Sequence, residues 1–209
     1  MKQPLRLAVL LSGGGRTLQN LAESIQRQEL DARIKCVISS RPDAYGLVRA
    51  ANYQLPAHIV TRKSFSDPDA FSQAIWRIVH DCDANLVVLA GFMSLLSIPP
   101  EQVGKVINIH PALLPAFGGK GMYGHHVHEA VLKAGCKVSG CTVHFCDPTY
   151  DTGAIIVQRC CAVLEDDTPD TLAQRVFNEE CIAYPQAIQM LAQGKVKLEG
   201  GRARIIDQI

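Results

Sequence analysis

Apolar positions along the 209-residue chain alternate between short unbroken blocks and longer runs with helical spacing. "LRLAVLL" (5–11) is such a block, closed by "SGGG", as a strand buried on both faces requires. "RTLQNLAESIQRQ" then brings Leu18, Leu21 and Ile25 to one helical face. "IKCVIS" (34–39) predicts a second strand, "DAYGLVRAANY" a helix, and "AHIVT" (57–61) a short strand. "SDPDAFSQAIWRIVHDC" has Pro68 in its first turn with acidic residues beside it, a helix start. "NLVVLA" (85–90) and "KVINIH" (105–110) complete a series of strands.

Strand and helix in this alternation predict an α/β fold, doubly wound around a mostly parallel sheet of Rossmann type. The pattern changes after residue 136. "KVSGCTVHFC" (137–146) and "AIIVQRCCAVL" (154–164) are separated only by a turn, which predicts antiparallel or mixed extension strands towards the C-terminus. "TPDTLAQRVFNEECIAYPQAIQMLAQG" predicts a long helix capped by Thr168, with Pro169 at its first position and a kink at Pro185. "KVKLEGGRARIID" reads as a terminal hairpin. No repeat or low-complexity linker interrupts the chain, so 1–209 is read as one domain. Its N-terminal half (about 1–104) would bind phosphate, and its C-terminal half (about 105–209) would carry the chemistry.

Composition changes this picture little. Hydrophobic residues are 47% and charged residues 20%, enough for a sizeable core. A net charge of +1 with no long run of either sign argues against nucleic acid as a partner, and no apolar run reaches the length of a membrane span. The eight cysteines contain no CxxC pair and mostly sit in strand-like runs. No signal-peptide pattern precedes the first strand, so they read as reduced core residues of a cytoplasmic protein.

Two stretches carry candidate chemistry. "SGGGRTL" (12–18) joins the first strand to the first helix, where backbone N–H groups and a helix N-terminus suit an anion. A dinucleotide fingerprint would need glycine where Leu18 stands, and no GK[ST] follows. What remains is a loop for one phosphate, held through Gly15, Arg16 and Thr17, against the alternative of an unliganded glycine turn. The second stretch is "NIHPALLPAFGGKGMYGHHVH" (108–128). Alternation puts Asn108 and His110 on one side of a strand end, at the carboxyl edge where open α/β sheets hold ligands. Pro111 and Pro115 stiffen the loop that leaves them. An amide donor beside an imidazole suits a carbonyl that becomes an oxyanion, with a proton to move near neutral pH. Asp151 in "YDTGAII" is the candidate to orient the imidazole and favour its charged form, against the reading as an exposed loop aspartate.

"SGGGRTLQNL", "VVLAGFMSLLS", "INIHPALLPAF", "GHHVHEAV", "GCTVHFCDPTYDTGAII" and "EECIAYP" run in order through nearly the whole chain. In this the sequence resembles the phosphoribosylglycinamide formyltransferases of the formyl-folate transferase family. The resemblance implies direct transfer of formyl from 10-formyltetrahydrofolate, the co-substrate, to the amine of glycinamide ribonucleotide in purine biosynthesis, without metal. It implies catalytic roles for Asn108, for His110 in its protonated form, and for Asp151. Gly15, Arg16 and Thr17 would take the phosphate, and Glu180 the ribose. Met93, Ser94, Leu95, Leu96, Asn108, Asp147 and Tyr150 would meet the folate. A monomer or homodimer is expected, with small molecules as its only other partners.

Two departures stand out. Pro68 occupies the place of an arginine that often contacts the folate tail in this family, and the loop 118–126 is lengthened by about "GKGMY". Rival readings are a formyltetrahydrofolate deformylase, which normally carries an extra N-terminal domain, and a methionyl-tRNA formyltransferase, which needs a C-terminal RNA-binding domain. A non-catalytic nucleotide-binding module is the rival from another class, disfavoured by Asn108, His110 and Asp151 together. His125, His126 and His128 lack metal-site spacing and read as residues of a helix start. Trp76 reads as core.

Overall fold

The structure is a computed structural model describing residues 3–206. The chain divides into two compact units, one running to Ile107 and the other starting at Asn108. The first contains β1 (Leu5–Leu11), α1 (Arg16–Gln26), β2 (Ala32–Ser39), α2 (Tyr45–Asn52), β3 (Ala57–Ile59), a 3-10 turn at Arg62–Ser64, α3 (Pro68–Asp81) and β4 (Leu86–Leu89). β5 (Val106–His110) crosses the division. The second unit contains α4 (His125–Lys133), β6 (Val138–Phe145), β7 (Ile155–Ala162), α5 (Pro169–Ala192), β8 (Val196–Glu199) and β9 (Arg202–Ile205).

The strands form a seven-stranded sheet in the order β3-β2-β1-β4-β5-β6-β7, with β8 and β9 as a separate hairpin. β1 pairs in parallel with both β2 and β4, and β2 with β3. This is the doubly wound sheet that the alternating runs predict. β6 and β7 pair antiparallel, which resolves the C-terminal extension, and the terminal hairpin is present. Asp207, at the end of the predicted hairpin, lies outside the described residues.

Central position explains the composition of β1. Leu7, Ala8, Val9, Leu10 and Leu11 are all fully buried, because strands flank both edges and side chains cover both faces. Each buried leucine is worth about 1.5–3 kcal/mol relative to exposure. α3 starts where Asp67 accepts a hydrogen bond from the Ala70 N–H at 2.7 Å, with Pro68 in the first turn. α5 begins with a reciprocal cap between Thr168 and Thr171 and continues through Pro185 as one helix. β3 is shorter than expected, since its last predicted residues leave for the 3-10 turn.

Candidate active site

β5 delivers Asn108 and His110 on one face, and His110 is only 3% exposed. The loop beyond is fixed by side chains of β6 and β7. Thr142 Oγ1 accepts from the Leu114 N–H at 3.0 Å and donates to the Ala112 carbonyl at 2.7 Å. Gln158 Nε2 donates to the Leu114 carbonyl at 2.9 Å. The rigidity assigned to the prolines is thus reinforced by hydrogen bonds from the neighbouring strands.

Asp151 reaches the same place from the turn between β6 and β7. Its backbone has φ 58°, a left-handed conformation unusual for a residue with a side chain. Gly153 makes the turn possible, because a Cβ there would lie 1.8 Å from the Phe145 carbonyl oxygen. Asp147 braces the turn, accepting from the Thr149 N–H and from the Thr152 hydroxyl at 2.8 Å each. Asp151 Oδ2 accepts from the Gly119 N–H at 3.0 Å and lies 3.5 Å from His110 Nδ1. Its Oδ1 is 3.5 Å from Asn108 Nδ2. The structure therefore brings Asn108, His110 and Asp151 together.

A fourth member, His144 on β6, is 2% exposed and lies within the strand predicted at 137–146. Its Nδ1 is 2.8 Å from the Phe145 carbonyl, so that nitrogen carries a proton and donates. Its Nε2 is 3.2 Å from Asn108 Nδ2 and 3.6 Å from Asp151 Oδ1. Nε2 of His144 therefore lies between the Asn108 amide and the Asp151 carboxylate and ties the two together.

Charge follows from these contacts. Burial would raise the Asp151 carboxyl, but hydrogen bonding from His144, the field of His110 and the Gly119 N–H together hold it below the usual carboxylate range. It is an anion at neutral pH. His110 moves the other way from the expectation. Burial pushes its pKa below the usual imidazole value, more than Asp151 and the Phe117 carbonyl raise it. The resting ring is neutral at pH 7. Its Nε2 donates to the Phe117 carbonyl at 2.8 Å, so Nδ1 presents its lone pair to Asp151. Only a protonated ring can complete that ion pair, which makes Asp151 a trap for a proton arriving at His110. Phe117 has φ 54° and opens the glycine-rich loop 117–124. A cavity of about 300 Å³ beside Asp151 is lined by Leu114, Pro115, Gly118, Tyr150, Thr152 and Ile155 among others.

The glycine loop belongs to the first unit. Gly15 caps α1 with φ 73°, and no side chain caps that helix end. A Cβ on Gly15 would lie 2.6 Å from Gly46 Cα, so α2 packs directly against the turn. Gly46 N–H donates to the Gly13 carbonyl at 3.0 Å, and Arg49 Nε to the Gly14 carbonyl at 2.9 Å. Arg49 also bonds Gln19. Arg16 and Thr17 form the first turn of α1. Sequence reading missed Gly46 and Arg49, whose only signal is a glycine and an arginine in a short helix.

In the same unit Met93 and Leu95 are exposed and Leu96 is buried, with Ser94 between them. Trp76 is only partly buried, and its indole N–H donates to the Ser97 carbonyl at 2.8 Å. In the second unit Glu180 lies on α5 beside Glu179, which pairs with Arg159 at 2.7 Å. Tyr150 is exposed at the turn before Asp151.

The three histidines of α4 separate by face. His125 and His126 are exposed at the start of α4, 3.5 Å from Asp170 and Glu129 respectively. His128 is buried, its Nδ1 has no partner, and burial first, then His125 and His110, push its pKa down to about 4. Among the described residues no group of three or more His, Cys, Asp or Glu side chains is arranged to hold a metal ion.

A largely covered carboxylate, an imidazole and an amide meeting at a strand end of a doubly wound sheet can act on a carbonyl, in group transfer or in hydrolysis. Residues 5–188 match the family described as formyl transferase, and the chain belongs to that family. It is 35% identical over 200 residues to the phosphoribosylglycinamide formyltransferase of Haemophilus influenzae, covering 95% of this chain and 92% of that protein. It is 41% identical to the trifunctional purine biosynthetic protein adenosine-3 of Drosophila melanogaster, but spans only 14% of that protein's length. Among solved structures, glycinamide ribonucleotide transformylase 1 from Symbiobacterium toebii superposes with a TM-score of 0.92 at 37% identity, covering 99% of this chain and 96% of that one. A formyltetrahydrofolate deformylase from Pseudomonas syringae is more distant, at 25% identity and a TM-score of 0.86, with 67% of that chain covered.

Proposed function

We propose that the protein transfers the formyl group of 10-formyltetrahydrofolate to the amine of glycinamide ribonucleotide, a step of purine biosynthesis. The observation that carries this reading is the buried contact of Asp151 with His110 and Asn108. The amine nitrogen attacks the formyl carbon, and the carbonyl electron pair moves onto oxygen. The Asn108 amide donates to that oxygen. The oxygen takes the position of the Phe117 carbonyl at His110 Nε2. The proton that the substrate ammonium sheds on becoming the free amine is taken up on Nδ1, where Asp151 holds it, so the ring is a cation opposite the oxyanion. Asp151 then receives the proton that the attacking nitrogen loses, through water. The C–N bond to the folate breaks, and the departing nitrogen takes a proton from the same relay. This route asks for no metal and no covalent bond to the protein.

In the same reading Gly15, Arg16 and Thr17 take the phosphate and Glu180 the ribose hydroxyls. Met93, Ser94, Leu95 and Leu96 meet the pterin with Asn108, Asp147 and Tyr150. The first half, to about residue 104, handles the phosphate and the second half the chemistry, in one catalytic domain working as monomer or homodimer in the cytoplasm. The glycine cap of α1, without a side-chain cap, supports the phosphate assignment.

The deformylase reading uses the same three side chains with water as acceptor, and a single experiment separates the two. Release of tetrahydrofolate from the formyl folate is followed with and without glycinamide ribonucleotide. Release that requires the ribonucleotide is expected; equal rates in both mixtures would defeat the transferase.

A further inference from the structure

Ser12, the first residue after β1, is 2% exposed and makes more contacts than a turn needs. Its N–H donates to the Gly91 carbonyl at 3.0 Å, extending the β1–β4 ladder by one step. Its Oγ accepts from the Met93 N–H at 2.8 Å and lies 2.6 Å from Ser40 Oγ, while Ser40 N–H donates to the Leu11 carbonyl at 3.0 Å. One hydroxyl thus sits at the root of the glycine loop and at the near end of the segment 93–96.

The far end of that segment is held by α3. Ser97 N–H donates to Ser72 Oγ at 3.0 Å, Ser97 Oγ to Asp69 at 2.9 Å, and Trp76 Nε1 to the Ser97 carbonyl at 2.8 Å. Phe92 lies parallel to Phe71 of α3, with 6.3 Å between ring centroids. Between the two clamps Met93 and Leu95 stay exposed. The strap is fixed at one end by a residue that also roots the glycine loop, and at the other by α3.

We propose that Ser12 is a positioning residue that couples the glycine loop to the 93–96 strap, so that an anion seated on the loop orders the backbone that meets the second substrate. The proposal rests on the functional reading above for what the strap binds. The hydroxyl links the two by geometry: movement of the loop root carries Oγ with it, and the Met93 amide that donates to it follows. A ligand that fixes one end lowers the ordering cost of the other, and such coupling is reciprocal.

Steady-state kinetics of two variants separate coupling from simple loosening. Ser12→Ala raises KM for both co-substrates, each by about fivefold, the scale of one hydrogen bond lost, with kcat changed less. Ser72→Ala loosens only the far clamp and raises KM for the folate alone. An effect of Ser12→Ala on one KM only, or of Ser72→Ala on both, overturns the proposal. Hydrogen exchange provides a readout independent of turnover. Inorganic phosphate slows exchange in the 91–97 peptide of the wild-type protein and not in Ser12→Ala. Should that variant fail to fold, a wild-type peptide indifferent to phosphate overturns the proposal and a slowed one upholds it. Wild-type protein that transfers no formyl group would defeat the functional reading, and the exchange experiment would still decide the coupling.

Discussion

The glycine loop after β1 and the cluster after β5 both sit where a strand ends, yet they are made of different material. The first is almost all backbone: Gly15 in a left-handed conformation, Gly13 and Gly14 with carbonyls held from α2, and a helix end without a side-chain cap. The second is side chains held by other side chains, with Asp151 within 3.6 Å of His110, Asn108 and His144, and Asn108 3.2 Å from His144. A site made of backbone tolerates many residue types but not a Cβ in the wrong place. A site made of side chains depends on each functional group and on the burial that sets its charge.

The largest expected effect breaks the side-chain site. Asp151→Asn leaves an acceptor for the Gly119 N–H but removes the anion, and turnover falls by about 10²–10⁴-fold, the range of a lost acid–base group. His110→Ala does the same. Circular dichroism and melting should show both variants folded; turnover near the wild-type rate in either would break the assigned mechanism. An NMR titration of Asp151→Asn sharpens the point, since without the anion the His110 pKa falls further.

Breaking the backbone site needs only a methyl group. Gly15→Ala places a Cβ against Gly46 in a left-handed turn, and KM for the ribonucleotide rises by at least about tenfold, the scale of 1–2 kcal/mol of backbone strain. Its kcat should move much less, and a reversed pattern would mean that the loop does not hold this substrate.

Acid exposes a third difference. His128 is neutral when folded, with a pKa of about 4 against an ordinary imidazole value in the unfolded chain. Between pH 6.5 and about 4 the unfolded state therefore binds more protons, so stability is full above this window and is lost as pH falls through it. Urea melts across the window should show this slope, reduced in His128→Gln. Smallest of all, Thr17→Ala keeps the backbone and should change KM for the ribonucleotide by less than about threefold, within the value of one hydrogen bond.

The same contrast explains how much could be read beforehand. Strand and helix order followed from apolar spacing, because β1 and β4 are buried on both faces and the helices on one. Asn108, His110 and Asp151 were legible because few residue types perform that chemistry. The Phe117 carbonyl, the Gly119 N–H and the grip of Arg49 on Gly14 were not, since every residue carries a carbonyl and an N–H. His144 was visible as a letter but not as a partner: its role comes from β6 lying where its Nε2 meets Asn108 and Asp151. The neutrality of resting His110 depends on how much protein covers it, a quantity that residue spacing does not carry.

Trp76 is the chain's one tryptophan, and its indole is tied to Ser97, at the end of the segment assigned to the pterin. Its emission is therefore a built-in optical gauge of that segment. If the proposed folate site is right, adding the formyl folate changes that emission, and a stopped-flow trace flat on addition would count against the 93–96 assignment.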